Sequence, residues 1–486
     1  MRNKKCLSQR RKDAKGAKKR MNHVIFGETS WRSLRLCVFA RGRLGILCVV
    51  VFLAGCASVS ERTRGEQSAE FSGRLEEMAA AWLSEPLSLE RCVAIALTNN
   101  YAVRQADLNV GLAKFYRSMA FGAFLPQVTL SYQSIAYQKD PVMSPQDFST
   151  MAAQITMPVV MPSAWFLYGA AQDGYASAKI VADYTRQCTA LQATVGFYAV
   201  LVQEDVVAVL EAQHGAAREQ YFRMEGLGEE GLVMPWEALQ ARLQMHAREA
   251  ELNQARRQLV VARGELLQDL GLSPDAAIVL SRELPPLVVP DGDVAERVIA
   301  ALGQHLELAL ADRQVVIREN QVRSAIAQFV PVVALAAQYS RHDKPMMAGM
   351  GLPLGNWSGS FNAVWNVFTG FYNLANYRAA KTERERSKLE REKTFLSVIV
   401  RVVAADAAFE DAGERLAVAA LAYEAAKGRF EDYDARAEEG LLPASDALDA
   451  RAAMDAAQIH LVQSRYLERI AVESLKLAMG VGVQYE

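Results

Sequence analysis

The feature that most constrains this chain is that it repeats itself. Residues 89–133 and 294–338 share a layout: Val93 matches Val298, Asp107 matches Asp312, Val110 matches Val315 and Pro126 matches Pro331. Each pair lies 205 residues apart, as 331 is from 126. Further along the register moves to 209. Glu229-Glu230-Gly231-Leu232 recurs as Glu438-Glu439-Gly440-Leu441, and Leu239, Arg242, Met245 and Gly271 recur as Leu448, Arg451, Met454 and Gly480. Agreement over most of a chain argues that one structural unit has been made twice. Residues 86–272 form the first repeat and 293–481 the second. Residues 273–292 connect them, with Leu284-Pro285-Pro286 and Pro290-Asp291-Gly292 as breakers. Residues 482–486 are a tail.

Each repeat reads as helix, two strands, long helix, turn, helix. The first helix of repeat one is expected over about 88–123, with Ser88 as its N-cap and Arg91 where a capping box would have Glu. Pro126 ends that pattern. The long helices are expected from about Ala164 to Met224 and from about Tyr372 to Ala437. The stretch Ala404 to Ala426 is rich in Ala, the strongest helix former. About 60 helical residues make a rod of roughly 90 Å. No compact globular domain needs helices that long, and small apolar residues on them suit a coiled-coil-like wall.

Between the helices the period changes to two. Val128, Leu130 and Tyr132 alternate with Thr129, Ser131 and Gln133. Met151, Ala153, Ile155 and Met157 alternate with Ala152, Gln154 and Thr156. Val333, Leu335, Ala337 and Tyr339 alternate with Ala334, Ala336, Gln338 and Ser340. Phe361, Ala363, Trp365 and Val367 alternate with Ser360, Asn362 and Asn366. Runs of about 9–11 residues, apolar on one face and small and polar on the other, are what a transmembrane barrel shows, with lipid outside and water inside. Alternation also marks half-buried strands of soluble sheets. Aromatic residues near the strand ends (Tyr132, Tyr339, Trp357, Trp365) favour the membrane. The loops Asp140–Asp147 and Arg341–Asn356 would then face outward from the cell. Four strands cannot close a barrel, and an open edge is not tolerated in lipid. Subunits must share one barrel: three copies give twelve strands and two give eight, so arithmetic alone leaves both open.

The amino terminus agrees with export. Lys and Arg crowd the first twenty residues, ahead of an apolar stretch from Leu44 to Ala54 that is too short to span a bilayer. Together they read as a signal peptide over residues 1–55, with Met21 as a second candidate start. Leu53-Ala54-Gly55-Cys56 resembles a lipobox, which would make Cys56 the lipidated first residue of a linker over 56–85. Ala57 in place of Asp favours sorting to the outer membrane by the same resemblance. Cys92 and Cys188 have neither metal-ligand spacing nor the pattern of a disulfide framework. With 54 basic and 55 acidic residues there is no overall basic bias toward nucleic acid.

Several pieces, weak singly, occur in an order that resembles the TolC-type outer membrane factor family over about residues 80–480. They are Leu87-Ser88-Leu89-Glu90, Phe124-Leu125-Pro126, Phe368-Thr369-Gly370, Gly440-Leu441 followed by Asp446-Ala447-Leu448-Asp449-Ala450, and Leu477-Ala478-Met479-Gly480. The resemblance implies an α+β membrane protein: a homotrimer whose outer-membrane β-barrel takes four strands per subunit and continues into a long periplasmic α-helical barrel. It implies a passive duct for efflux or type I secretion, working with a periplasmic adaptor protein and an inner-membrane transporter. The chain departs from the family in two places. Gly370-Phe371 stands where two glycines are common, and repeat one has Met161-Pro162-Ser163 there, which makes its second strand the least defined.

Two sets of residues carry the implied function. Asp446 and Asp449 share a helix face and match the family's acidic constriction, where a trimer would stack two rings of carboxylates that favour cations. Asp in a first helical turn is also favoured by the helix dipole alone. Repeat one has Glu237 and Gln240 at those positions. Gly231, Leu232, Gly440 and Leu441 lie at the turns that resemble adaptor-docking tips, where Gly also serves simply to end a helix. No cofactor or metal is expected. The six His are scattered, and no phosphate loop or nucleophile elbow is present, so an enzyme is not expected. A lipid-anchored periplasmic scaffold of long helices, without a pore, is the alternative.

Overall fold

The computed structural model describes residues 61–138, 145–344, 354–439, 441–442 and 444–482. The signal peptide and Cys56 lie outside these residues, as do most of both outer loops and Gly440. The chain divides into two units, residues 1–70 and Phe71–Glu486. Of the first, only the start of helix α1 (Glu61–Trp82) is described, so the segment read as a linker holds a 22-residue helix.

The elements that follow α1 run α2 (Leu89–Asn99), α3 (Tyr101–Gly122), β1 (Gln127–Ala136), β2 (Asp147–Val160), α4 (Pro162–Glu229) and α5 (Pro235–Asp269). The order then recurs: α6 (Val294–Gln304), α7 (Leu306–Ala327), β3 (Val332–His342), β4 (Gly355–Val364), α8 (Tyr372–Glu438) and α9 (Ala444–Ala478). Helix lengths of 11, 22, 68 and 35 residues in the first half meet 11, 22, 67 and 35 in the second. At 1.5 Å per residue α4 and α8 are about 100 Å long. Each is twice its hairpin partner, so one half of α4 packs on α5 and the other is left for α3 and α7. A stretch of α4 is apolar enough to cross a membrane by composition, but nearly half of it is buried.

The first helix of each half is broken, which corrects the continuous helix expected over 88–123. At Asn100 the backbone leaves the helical region (φ −57°, ψ 132°), and its Oδ1 accepts from the Ala102 amide at 2.8 Å. His305, 205 residues on, does the same (φ −67°, ψ 124°), its ring Nδ1 accepting from the Glu307 amide at 3.2 Å. Each break is pressed by a glycine at the end of the second hairpin helix. A Cβ on Gly271 would lie 2.7 Å from the Asn99 carbonyl oxygen, and one on Gly480 would lie 2.9 Å from the His305 Cα. Both glycines also have positive φ, +67° and +72°, a conformation that a side chain disfavours. The repeated glycines therefore mark where each hairpin returns to its own half.

Around the first break lies the main core. Phe197, Leu201, Leu266, Leu270, Leu89 and Ile95 are essentially inaccessible there. Each contributes on the order of 1.5–3 kcal/mol by leaving water. Ser88 caps α2 as expected, accepting from the Arg91 amide, and Asp293 caps α6 by accepting from the Glu296 amide at 2.8 Å.

The four strands form one antiparallel sheet in the order β1-β2-β3-β4. β2 is 14 residues long, longer than expected, with an irregularity between Pro158 and Val160. β4 ends at Val364, so Trp365 is not on a strand; its indole Nε1 donates to the Phe329 carbonyl at 3.0 Å. The second long helix is entered through Gly370 and Phe371, both left-handed (φ +61° and +64°). Phe371 thus occupies a conformation that two glycines would adopt without strain.

Candidate channel lining and helical tips

The strand register sorts the side chains into two faces. One row runs Leu130–Ala153–Tyr339–Trp357 across the four strands, and the next runs Val128–Ile155–Ala337–Gly359. Met157 pairs with Leu335, which pairs with Phe361, on the same face. On the other face the rows run Thr129–Gln154–Gln338–Ser358, Gln127–Thr156–Ala336–Ser360 and Ser131–Ala152–Ser340–Asn356. Alternation within each strand could have been lost by a one-residue slip between strands, since a slip turns a strand over. No slip has occurred: the apolar residues of all four strands coincide. They are also uncovered. Val128, Leu130, Tyr132, Trp357 and Phe361 are each about two-thirds exposed, a patch of the kind that marks a surface covered by a membrane or a partner.

The apolar band has an aromatic end. Tyr339 and Trp357 stand 5.0 Å apart between ring centres, and the Tyr132 hydroxyl donates to Ser149 Oγ at 3.1 Å. On the described strands charge appears only beyond it, at the hairpin ends: Lys344 pairs with Asp147 at 2.6 Å, and the Asp343 carboxylate accepts from the Ser149 amide. Of the four aromatics expected on strands, Tyr132, Tyr339 and Trp357 are there.

Two flanks of the chain are open. Among the described residues β1 and β4 have no strand on their outer side. Helix α3, which leads into β1, exposes Leu108, Leu112, Phe115 and Met119 in a stripe, and α8, which follows β4, exposes Leu389, Leu396, Val400 and Val403. Each stripe has the spacing of a helix seam.

At the far end, the two hairpin turns share one geometry. The Leu232 amide donates to the Leu227 carbonyl at 2.9 Å, and the Leu441 amide to the Arg436 carbonyl at 2.8 Å, 209 residues on. Gly231 takes φ +73°, as a helix-ending glycine does. Leu232 and Leu441 both project into solvent, 67% and 70% exposed. The tips differ in chemistry. The first adds exposed Met234, Trp236, Leu239 and Leu243. The second carries Asp446, half-buried, and Asp449, exposed, in the first turns of α9 over buried Ala447 and Ala450. Glu237, at the position of Asp446, is occupied in capping α5, its Oε2 accepting from the Met234 amide at 3.0 Å. The residue at the position of Met234 in the second tip is Pro443, which has no amide hydrogen, so Asp446 cannot make that bond. Asp449 borders a groove of about 550 Å³ between the two hairpins, with Arg451, Asp455, Phe430 and Arg248 among its walls.

One titratable cluster lies apart from both ends, at the second helix break. Arg401 donates to both carboxylate oxygens of Glu307, at 2.9 and 2.5 Å. That pairing holds the Glu307 carboxyl down at about 2. Burial pushes the Tyr184 phenol and the Cys188 thiol up and the His305 ring down. Sequence reasoning found none of these contacts, because they join α4, α7 and α8 across more than ninety residues. Among the described residues no group of three or more His, Cys, Asp or Glu could hold a metal.

Residues 299–481 match the outer membrane efflux protein family. No curated protein matches the chain. Among solved structures it is similar to the CmeC outer membrane channel of Campylobacter jejuni (TM-score 0.72, 17% identity, 81% of this chain and 86% of that one). It is similar to the outer membrane protein VceC of Vibrio cholerae (0.68, 17%, 82% and 97%). It is also similar to the open state of the Neisseria gonorrhoeae MtrE outer membrane channel (0.67, 17%, 82% and 89%). At these identities the likeness establishes the fold.

Proposed function

From the premise that this chain carries an outer membrane efflux protein domain on the fold of the outer-membrane channels, we propose that it is one third of a homotrimeric efflux duct. The observation that carries this is the two-faced sheet with open edges. A sheet with one face of exposed apolar side chains, charged only at its hairpin ends, belongs in lipid, and its two free edges must be paired there. The flanks offer the means: α3 with β1 on one side, and β4 with α8 on the other. Joining one flank to the next subunit's opposite flank is a head-to-tail contact, which closes into a ring. Three copies make twelve strands. The helices below continue the barrel as a periplasmic tube, anchored through lipid on Cys56.

The duct is passive; transport is driven by an inner-membrane transporter reached through a periplasmic adaptor. The tips at Gly231-Leu232 and Gly440-Leu441 are the docking turns, and the exposed leucines support that role. Asp446 and Asp449, stacked as rings at the narrow end, favour entry of cations and bind blocking ones. Conductance in planar bilayers tests the reading. The purified protein should form discrete pores that a multivalent cation blocks from the periplasmic side, and Asp446→Asn with Asp449→Asn should relieve the block at least tenfold. Absence of any conductance would leave a scaffold of helices without a pore; unchanged block in the double variant would take the constriction away from these two residues.

A further inference from the structure

We infer that the outer-membrane section of the duct is charge-neutral along its strands, so that it passes solutes of either sign and leaves discrimination by charge to the helical end. The inference rests on the pore reading above and concerns the polar face of the sheet. Among the described residues, that face carries no Asp, Glu, Lys or Arg on any of its four strands. Its polar groups are amides and hydroxyls, with Gln338 and Ser358 paired near its middle. The single titratable group is His342 at the outer end, whose Nδ1 lies 2.9 Å from the Thr150 hydroxyl. The apolar exceptions at that end, Ile135 and Phe148, face each other as one register pair.

The distribution is not a matter of composition, since charged residues are 22% of the chain. The strands have them too, but on the other parity and only at the hairpin ends, as Asp147 and Arg341. A ring of like charges in a water-filled constriction repels one sign and concentrates the other. Amide and hydroxyl groups turn to suit either sign, and they offer hydrogen bonds to uncharged polar solutes as well. The cargo class this lining accepts is therefore polar or amphiphilic molecules regardless of charge. Sign is then read in the helical section, which carries charged side chains along α8 and the acidic pair at its tip.

A local probe tests this on the assembled protein in liposomes. Ser358→Cys, in a Cys188→Ser background, places a thiol on the polar face, and Cys92 is buried. It is treated with a cationic and with an anionic methanethiosulfonate reagent from the outside. The ratio of the two rates, divided by the ratio for a free thiol, is expected to fall within about twofold of one. Adding Gln338→Glu beside the probe sets three carboxylates in the ring and should raise the ratio about tenfold in favour of the cation, which shows that the probe senses lining charge. A tenfold preference already present without Gln338→Glu would overturn the inference while leaving the pore intact. A thiol that neither charged reagent reaches, but a lipid-soluble maleimide does, would sink the pore reading and the inference with it.

Discussion

The two halves of the molecule close the same joint by different chemistry. At the first helix break the position after the Ser88 cap turn is Cys92, packed against an apolar core that includes Leu201. Counting 205 residues on, Cys92 becomes Arg297 and Leu201 becomes Asp406, and these two form a buried ion pair, 11% and 3% exposed. Arg297 also donates to the Pro290 carbonyl at 2.7 Å, while its Nε has no partner among the described residues. Asn100 at the first break is replaced by His305 at the second, and Glu307 with Arg401 adds a second ion pair. The apolar cluster of the second joint is correspondingly smaller. What the halves share is the backbone device: a capping side chain at the break and a left-handed glycine pressed onto it. The topology is therefore set by the break and the glycine, and the core around them is free to be apolar or ionic.

The largest effect should come from breaking the ionic joint. Asp406→Ala leaves a buried guanidinium without its carboxylate and should cost about 3–5 kcal/mol. Leu201→Ala in the apolar joint should cost about 2–5 kcal/mol through its cavity. Urea titration of the detergent-solubilised protein measures both. The sharper variant converts one joint into the other: Arg297→Cys with Asp406→Leu should be neutral, or more stable by about 1–4 kcal/mol. A loss as large as that of Asp406→Ala would show that the two positions are not equivalents of Cys92 and Leu201.

The glycines should behave alike in both halves. Gly271→Ala and Gly480→Ala each force a Cβ into backbone at positive φ, for about 1–3 kcal/mol. A cost at only one of them would limit the shared device to that half.

Acid should distinguish the joints next. Burial lowers the His305 pKa below its ordinary 6.5, so the unfolded chain takes up the proton first. The stability owed to neutral His305 is full above 6.5 and falls as pH drops below it. Glu307 follows further down, losing its contribution between 4.5 and about 2. The melting temperature should thus decline from pH 7 to pH 5. His305→Asn, which copies the residue of the first break, should flatten that decline; an unchanged slope would place the sensitivity elsewhere.

The smallest effects belong to a matched surface pair. Arg186 bonds Asp107 between α3 and α4, and Arg391 bonds Asp312 between α7 and α8. Both pairs are half exposed, so Arg186→Ala and Arg391→Ala should each cost less than about 1 kcal/mol in thermal denaturation. A cost of several would mean that assembly buries them.

These pairs also show what the sequence could and could not reveal. Asp107 and Asp312 were visible as equivalents, but their arginines were not, because a partner on another helix leaves no local periodicity. The long helices and the two faces of the sheet were legible, since each depends on spacing within one segment. The breaks at Asn100 and His305 were not, because one capping residue between two apolar helical segments reads as a single polar position, and the glycines packed against the breaks, Gly271 and Gly480, lie some 170 residues away. Trp365 was misplaced by extending an alternation past the end of β4. The acidic pair Asp446 and Asp449 was found through a resemblance; what the structure adds is that Glu237, its counterpart, is engaged in a cap.

The central claim is that four strands with two open edges and one apolar face become a closed wall only in company. Native mass spectrometry of the protein, extracted in mild detergent, tests it most directly. The account predicts a stable complex of three chains, twelve strands in all. A monomer that persists in detergent would leave both edges bare in lipid and would contradict the duct.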